Sequence, residues 1–303
     1  MNLNFLQMKN IIRLLTFFSF LLVMCSMVQA QDTTARAKKK VKLEDVTNTF
    51  AGNFVLDNQS VSVPGKHTLD LAIQHRFGTI DNGYKDMYGV FAPANIRISA
   101  AYTPIDNLEI GVGICKDRLQ WDGTVKYSIS RQHVNGCPVS LTYFGDMSMD
   151  SRPDAGNFVN DIDRFSYFNQ LILGSKISDK LSLQVAPSVS YFNNIPGYLS
   201  SEGTIKPKMK NAHIAFAASG IYMISTLTGI MFNYDQPITQ HPTNNPHPNL
   251  SIGLQVSTIT HTFQIFFGNY QSIIPQNNNV FNQNDYTKNQ FLLGFNITKR
   301  FFY

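Results

Sequence analysis

From residue 67 to the last residue, apolar and polar side chains alternate in segments of about ten residues, broken by turns and polar loops. Leu69, Leu71, Ile73 and Phe77 fall on one face of the first segment, against Thr68, Asp70, Ala72, Gln74 and Arg76 on the other. A period of two over this length is the pattern of a β-strand with one apolar face. The theme recurs at Ile96–Tyr102, Leu108–Cys115, Val125–Ser130, Val139–Tyr143, Phe165–Leu173, Leu181–Tyr191, Ile214–Ser219, Ile230–Tyr234, Leu250–Ser257 and Phe263–Phe267. In the last segment Phe291, Leu293, Phe295, Ile297, Phe301 and Tyr303 stand at odd positions, and the chain stops on the last of them. Twelve segments are an even number, as closed membrane barrels of one chain usually have.

Connections alternate in length as well. Short ones are expected at 103–107, 176–180, 223–226 and 258–260. Long polar ones are expected at 78–93, 145–163, 193–210, 235–249 and 268–288, with 116–123 intermediate and 132–138 intermediate on the short side. Short periplasmic turns alternating with long outer loops are characteristic of an outer-membrane barrel and place both barrel termini on the periplasmic side. The expected fold is therefore all-β: an antiparallel transmembrane β-barrel of about twelve strands over residues 65–303. The mean hydropathy of −0.12 does not oppose this, because lipid-facing and lumen-facing side chains average out. Length suits a soluble β-sandwich equally, and 23 Phe with 13 Tyr could fill its core. The barrel is preferred because Tyr102, Tyr127, Tyr143, Tyr191, Tyr222 and Tyr303 stand near segment ends on the apolar face, where interfacial girdles form.

Residues 1–30 read as a signal peptide. Lys9 and Arg13 supply its positive start, Leu14 to Val28 its apolar stretch, and Val28-Gln29-Ala30 its small-residue cleavage site. Acylation at Cys25 is the alternative processing route, opposed by Met24 before it. Of the net charge of +5, residues 1–30 carry +2 and residues 31–42 carry +4, leaving −1 for the remainder. The basicity is thus a removable leader plus a short lysine-rich tail, which argues against nucleic acid as a partner. Residues 31–64 are expected to be a basic leader followed by a segment that plugs the lumen or lies at its periplasmic mouth. Cys115 and Cys137 are expected to remain thiols. The strand placement puts them on opposite sides of a bilayer core about 30 Å thick, far beyond disulfide reach.

Further stretches carry a family likeness: Thr49-Phe50-Ala51-Gly52, Ile73-Gln74-His75-Arg76-Phe77-Gly78, Lys126-Tyr127, Ser182-Leu183-Gln184-Val185-Ala186-Pro187-Ser188, His261-Thr262-Phe263-Gln264 and Gly294-Phe295-Asn296-Ile297. Through them the chain resembles the bacterial β-barrels of domain-of-unknown-function family 5777, across most of residues 49–303. The resemblance implies an outer-membrane barrel and supplies no activity.

Alternation sends Arg76, Arg97, Asp70, Glu109, Lys126 and Gln184 into the lumen, with Gln170, Asn233, Gln255, Gln264 and Asn296 around them. Arg76 and Arg97, on adjacent strands, are expected to sit close together in the outer half. Two readings follow: a polar network that fills a narrow barrel in a structural or partner-binding protein, or a narrow passage whose basic constriction favours small anions. A third class is a rim enzyme acting on lipid, for which His75 at the outer edge is the candidate base. No G-x-S-x-G sequence accompanies it, and no catalytic motif supports an enzyme. His241 and His247 lie in a proline-rich loop read as solvated, and no metal or other cofactor is expected. The expected partners are outer-membrane lipid, the barrel-assembly machinery through the C-terminal strand with Phe291, Phe295, Phe301 and Tyr303, and a periplasmic protein.

Overall fold

The computed structural model describes residues 44–47, 49–154 and 156–303. The expected signal peptide with its expected cleavage site near Ala30, and the basic residues 31–42, lie outside the described residues. The described residues divide into two compact units, one formed by 44–47 with 131–139, the other by 49–130 with 140–154 and 156–303.

The second unit is a closed barrel of twelve antiparallel strands. They are β1 (Thr68–Thr79), β2 (Asn95–Ile105), β3 (Leu108–Cys115), β4 (Gln120–Ser130), β5 (Ser140–Met149) and β6 (Phe165–Lys176). After them come β7 (Leu181–Phe192), β8 (Ala212–Met223), β9 (Thr228–Pro237), β10 (Asn249–Ser257), β11 (His261–Gly268) and β12 (Leu292–Phe302). Each pairs with its successor, and β12 closes on β1 with Phe295 opposite His75. Closure leaves no strand edge unpaired, which the hydrocarbon layer demands because it offers backbone groups no water.

Side-chain burial is inverted relative to a water-soluble core. Val112, Ile252 and Phe267 are exposed on the outer face, while Arg76, Lys126 and Asn233 are buried inside. Such an apolar exterior is stable only against lipid. All twelve expected segments occur as strands, in order.

Their ends differ in places. β4 begins at Gln120, so the expected connection 116–123 shrinks to 116–119. Asp122-Gly123 resembles a turn, but Asp122 points inward to meet Arg97 and the alternation simply continues. β5 likewise runs through Gly145-Asp146 to Met149, and Val139 precedes it. Phe291 and Tyr303 flank β12 and extend its ladder by one bond each, Ile80 N–H donating to Phe291 O at 2.8 Å and Tyr303 N–H to His67 O at 3.0 Å.

The barrel interior also holds an apolar cluster. Phe144, Phe168, Ile172, Met231 and Phe266 turn inward and pack with Phe50, Val55, Leu56 and Val61 from the segment before β1. In the first unit, residues 44–46 pair with the 131–139 connection. Val46 N–H donates to Gln132 O at 2.8 Å, and Asp45 meets His133 at 2.9 Å and Arg131 at 3.5 Å.

Candidate functional site in the barrel lumen

Residues 49–63 enter the barrel as a tight hairpin, Phe54–Val55 against Asn58–Gln59. Its turn holds the buried Leu56 at φ 63, a left-handed conformation that costs a branched residue about 1–2 kcal/mol. Burying the Leu56 side chain contributes about 1.5–3 kcal/mol and offsets that strain.

The hairpin is tied to the wall by lumen-facing side chains. Gln264 donates to Phe54 O at 2.9 Å, Asn296 to Leu56 O at 2.6 Å and Gln184 to Gln59 O at 2.7 Å. Asn53 Nδ2 donates to both Asp70 at 3.0 Å and Glu109 at 2.9 Å, and Asn58 Nδ2 to Asn233 and Asp235, each at 2.8 Å.

A second insert arrives from the opposite end. The connection between β11 and β12 is not a plain polar loop: it contains α1 (Pro275–Phe281), started by Pro275 in its first turn. Gln276, Asn277, Asn278 and Asn279 are all buried; Gln276, Asn277 and Asn279 reach three different strands and Asn278 the hairpin. Gln276 donates to Asp146 at 2.8 Å and Asn277 to Gln120 at 2.6 Å. The two inserts meet at Asp57, at the hairpin tip. Its carboxylate accepts from Asn278 at 2.8 Å, from Tyr270 at 2.9 Å and from Asn233 at 2.8 Å. Two cavities beside the hairpin, among the described residues, have volumes of about 20 Å³ each, room for about one water.

The expected lumen residues Arg76, Arg97, Asp70, Glu109, Lys126 and Gln184 are buried on the inner face. Arg76 and Arg97, however, do not form a joint basic constriction. Arg97 turns toward β4, where Nε donates to Asp122 Oδ1 at 2.9 Å, and Nη1 donates to Gln74 at 2.9 Å. Arg76 turns toward β12 and β11, donating to Asn296 Oδ1 at 2.9 Å and stacking 4.5 Å from the Phe266 ring. Two like charges in a low-dielectric interior separate toward separate partners. Glycines make room for both: a Cβ on Gly113 would lie 2.6 Å from Arg97 Nη2, and one on Gly294 2.7 Å from the Phe266 ring. Lower in the barrel, Arg300 forks onto Asp70 at 2.8 and 2.7 Å. Lys126 stands opposite Glu109, and its ammonium has no hydrogen-bond partner among the described residues.

Sequence reasoning missed Asp57, Asp122, Asp146, Arg300 and the α1 amides. A signal for the interior apolar cluster does exist in the runs Tyr143-Phe144, Tyr167-Phe168, Ile230-Met231-Phe232 and Ile265-Phe266-Phe267, where both strand faces are apolar.

His75 stacks on Phe295, at 5.1 Å, and meets the tilted ring of Phe77, at 4.3 Å, and no serine donates to it among the described residues. His241 departs from the solvated-loop expectation. It is buried and lies 2.9 Å from His213 on β8, because Asn245 ties the loop back on itself through His241 N–H at 2.6 Å. Its Nδ1 accepts from Lys210 N–H at 3.0 Å, so the proton on Nε2 is the one donated to His213 Nδ1. Burial and the Lys210 charge hold the His241 imidazole below its ordinary proton affinity. Cys115 and Cys137 are both thiols.

Residues 50–301 match the model of a family described as a membrane-bound β-barrel domain, DUF5777. No curated protein matches the sequence. Among solved structures, the NanC porin is similar at 10% identity and a TM-score of 0.46, covering 78% of this chain and 99% of its own. The KdgM porin gives 8% and 0.45, with 77% and 99% covered. An outer-membrane channel from Pseudomonas putida F1 gives 10% and 0.47, with 79% and 97% covered.

Proposed function

Because the chain belongs to the membrane-bound β-barrel domain family DUF5777, we propose that it is an outer-membrane barrel whose lumen is filled and closed at rest, serving a structural or partner-binding role. The observation that carries this reading is the meeting of the N-terminal hairpin and α1 at Asp57, with two spaces of about 20 Å³ each beside the hairpin among the described residues. The hairpin is then a plug, and the segment before it is the part available to a periplasmic protein. Export through the signal peptide, and recognition of β12 with Phe295, Phe301 and Tyr303 by the assembly machinery, complete the picture.

Planar-bilayer recording of the purified protein tests it. The full chain is expected to give no steady conductance, and a persistent open current from it would overturn the reading. A second reading is favoured by the polarity of the plug contacts: a narrow passage for small solutes that opens when the hairpin withdraws. Most of the hairpin's hydrogen bonds are to amides and carboxylates, which water can replace. Deleting residues 44–63 should then give a steady current, and continued silence would remove this reading.

A further inference from the structure

At the barrel end that carries the long connections lies a cavity of about 440 Å³, separate from the Asp57 contact and within the range of small-molecule sites. Its walls come from the 116–119 turn, the 150–164 connection, the segment after β7 and the end of α1. Three arginines line it: Arg118, Arg152 and Arg164. Two are set against aromatic rings. The Arg118 guanidinium lies 4.4 Å from the centre of Phe281, and that of Arg164 lies 4.5 Å from Phe158.

The carboxylates on the same wall are already engaged. Asp150 takes a two-point contact from Arg152, at 3.0 and 2.7 Å. Asp163 accepts the backbone N–H groups of Val159 and Asn160, at 3.1 and 2.9 Å. Arg164 is anchored through Nη1 to the Asp150 and Arg152 carbonyls, at 3.1 and 2.9 Å. Neither Arg164 nor Arg118 has a carboxylate ion pair among the described residues, and of the two only Arg164 is held by backbone carbonyls.

The backbone of Arg118 explains how it is placed. Arg118 and Leu119 both have positive φ, 56 and 49, in the shortest connection at this end of the barrel. Two consecutive left-handed non-glycine residues are unfavourable, and such strain persists where surrounding structure enforces it, often at ligand sites. Here it sets the guanidinium over Phe281, on the wall of the cavity.

We propose that this cavity binds a small soluble organic anion, one that sets a carboxylate or phosphate against Arg118 and Arg164 and a ring against Phe281 and Phe158. Guanidinium forks match such oxyanions in two-point geometry, and aromatic faces favour a flat or ring-shaped body over a bare ion. The lining bears three cationic and two anionic groups, so an anion is the charge it accepts. The inference does not depend on whether the lumen conducts, because the cavity lies outside the Asp57 closure.

Calorimetric titration of the full chain in detergent tests this with three probes: phenyl phosphate, inorganic phosphate and benzyl alcohol. Phenyl phosphate is expected to bind saturably at micromolar to millimolar concentration. Each of the other two, lacking ring or charge, is expected to bind at least tenfold more weakly. Arg118→Gln is expected to weaken phenyl phosphate at least tenfold, Arg118→Lys to a lesser degree, and Phe281→Leu to erase the preference over inorganic phosphate. The heat-dependent gel mobility of an intact barrel reports that each variant is folded. Absence of saturable phenyl phosphate binding would overturn the proposal, as would benzyl alcohol binding equally well. Undiminished affinity in folded Arg118→Gln would do the same. The probe comparison on the unaltered protein decides the matter even if a variant fails to fold.

Discussion

Asp57→Ala removes the acceptor at the point where the two lumen inserts meet. Two buried donors then lose a partner: an N–H of Asn278 and one N–H of Asn233, whose other N–H stays on Asp235. The Tyr270 hydroxyl turns to Ser251, which already lies 2.9 Å away. Orphaning a buried donor costs about 1–3 kcal/mol. Two of them, relieved in part by a water that enters the space left by the carboxylate, amount to about 2–4 kcal/mol. At about 1.4 kcal/mol per decade, the undocked hairpin becomes roughly thirty- to several-hundredfold more populated. Amide hydrogen exchange reads this directly at Ser60, whose N–H is held by Asn53 O at 2.8 Å, and at Val61, held by Gln184 at 3.0 Å. Both should lose protection by that factor while β-strand amides keep theirs. Asp57→Asn, which retains one carbonyl oxygen, should fall between. Unchanged protection at Ser60 and Val61 in Asp57→Ala would refute the idea that this contact latches the hairpin.

Three further outcomes are expected. Asp122→Ala strands the buried Arg97 guanidinium and should lower barrel stability by about 3–5 kcal/mol in chemical denaturation, whereas Arg97→Met combined with Asp122→Leu should recover most of it; equal losses in single and double variants would contradict this. Gly113→Val should mimic the Asp122 loss, because its side chain would occupy the space of the same ion pair, within 2.6 Å of Arg97 Nη2 and 2.7 Å of Asp122 Oδ1. The His213–His241 contact should respond to acid. The folded His241 affinity lies below the ordinary 6.5, so its contribution is complete above that value and is lost as pH falls through the lowered one. Protease sensitivity of the 238–248 connection should therefore rise on acidification, and His241→Gln should remove the pH dependence; a pH-independent cleavage rate in the unaltered protein would count against it.

The strand pattern was legible because a lipid-facing residue must be apolar and its neighbours must point the other way. That local constraint recurs along each strand, as at Leu69, Leu71 and Ile73 or Phe263, Ile265 and Phe267. It failed where inward residues mimic turns: Asp122-Gly123 and Gly145-Asp146 read as breaks, yet each aspartate is an inward group with a distant partner. The inner positions of Arg76, Arg97, Asp70, Glu109, Lys126 and Gln184 follow from parity alone. Their partners do not, since Arg300 meets Asp70 across 230 residues and Asn58 meets Asp235 across 177.

By itself, then, the sequence determined the membrane barrel and its twelve strands, because period two is written residue by residue. Only the tertiary structure decided what fills the lumen. Closing β12 on β1 brings the hairpin, α1 and strands far apart in the chain to one carboxylate at Asp57, and contacts of that kind leave no period in the sequence.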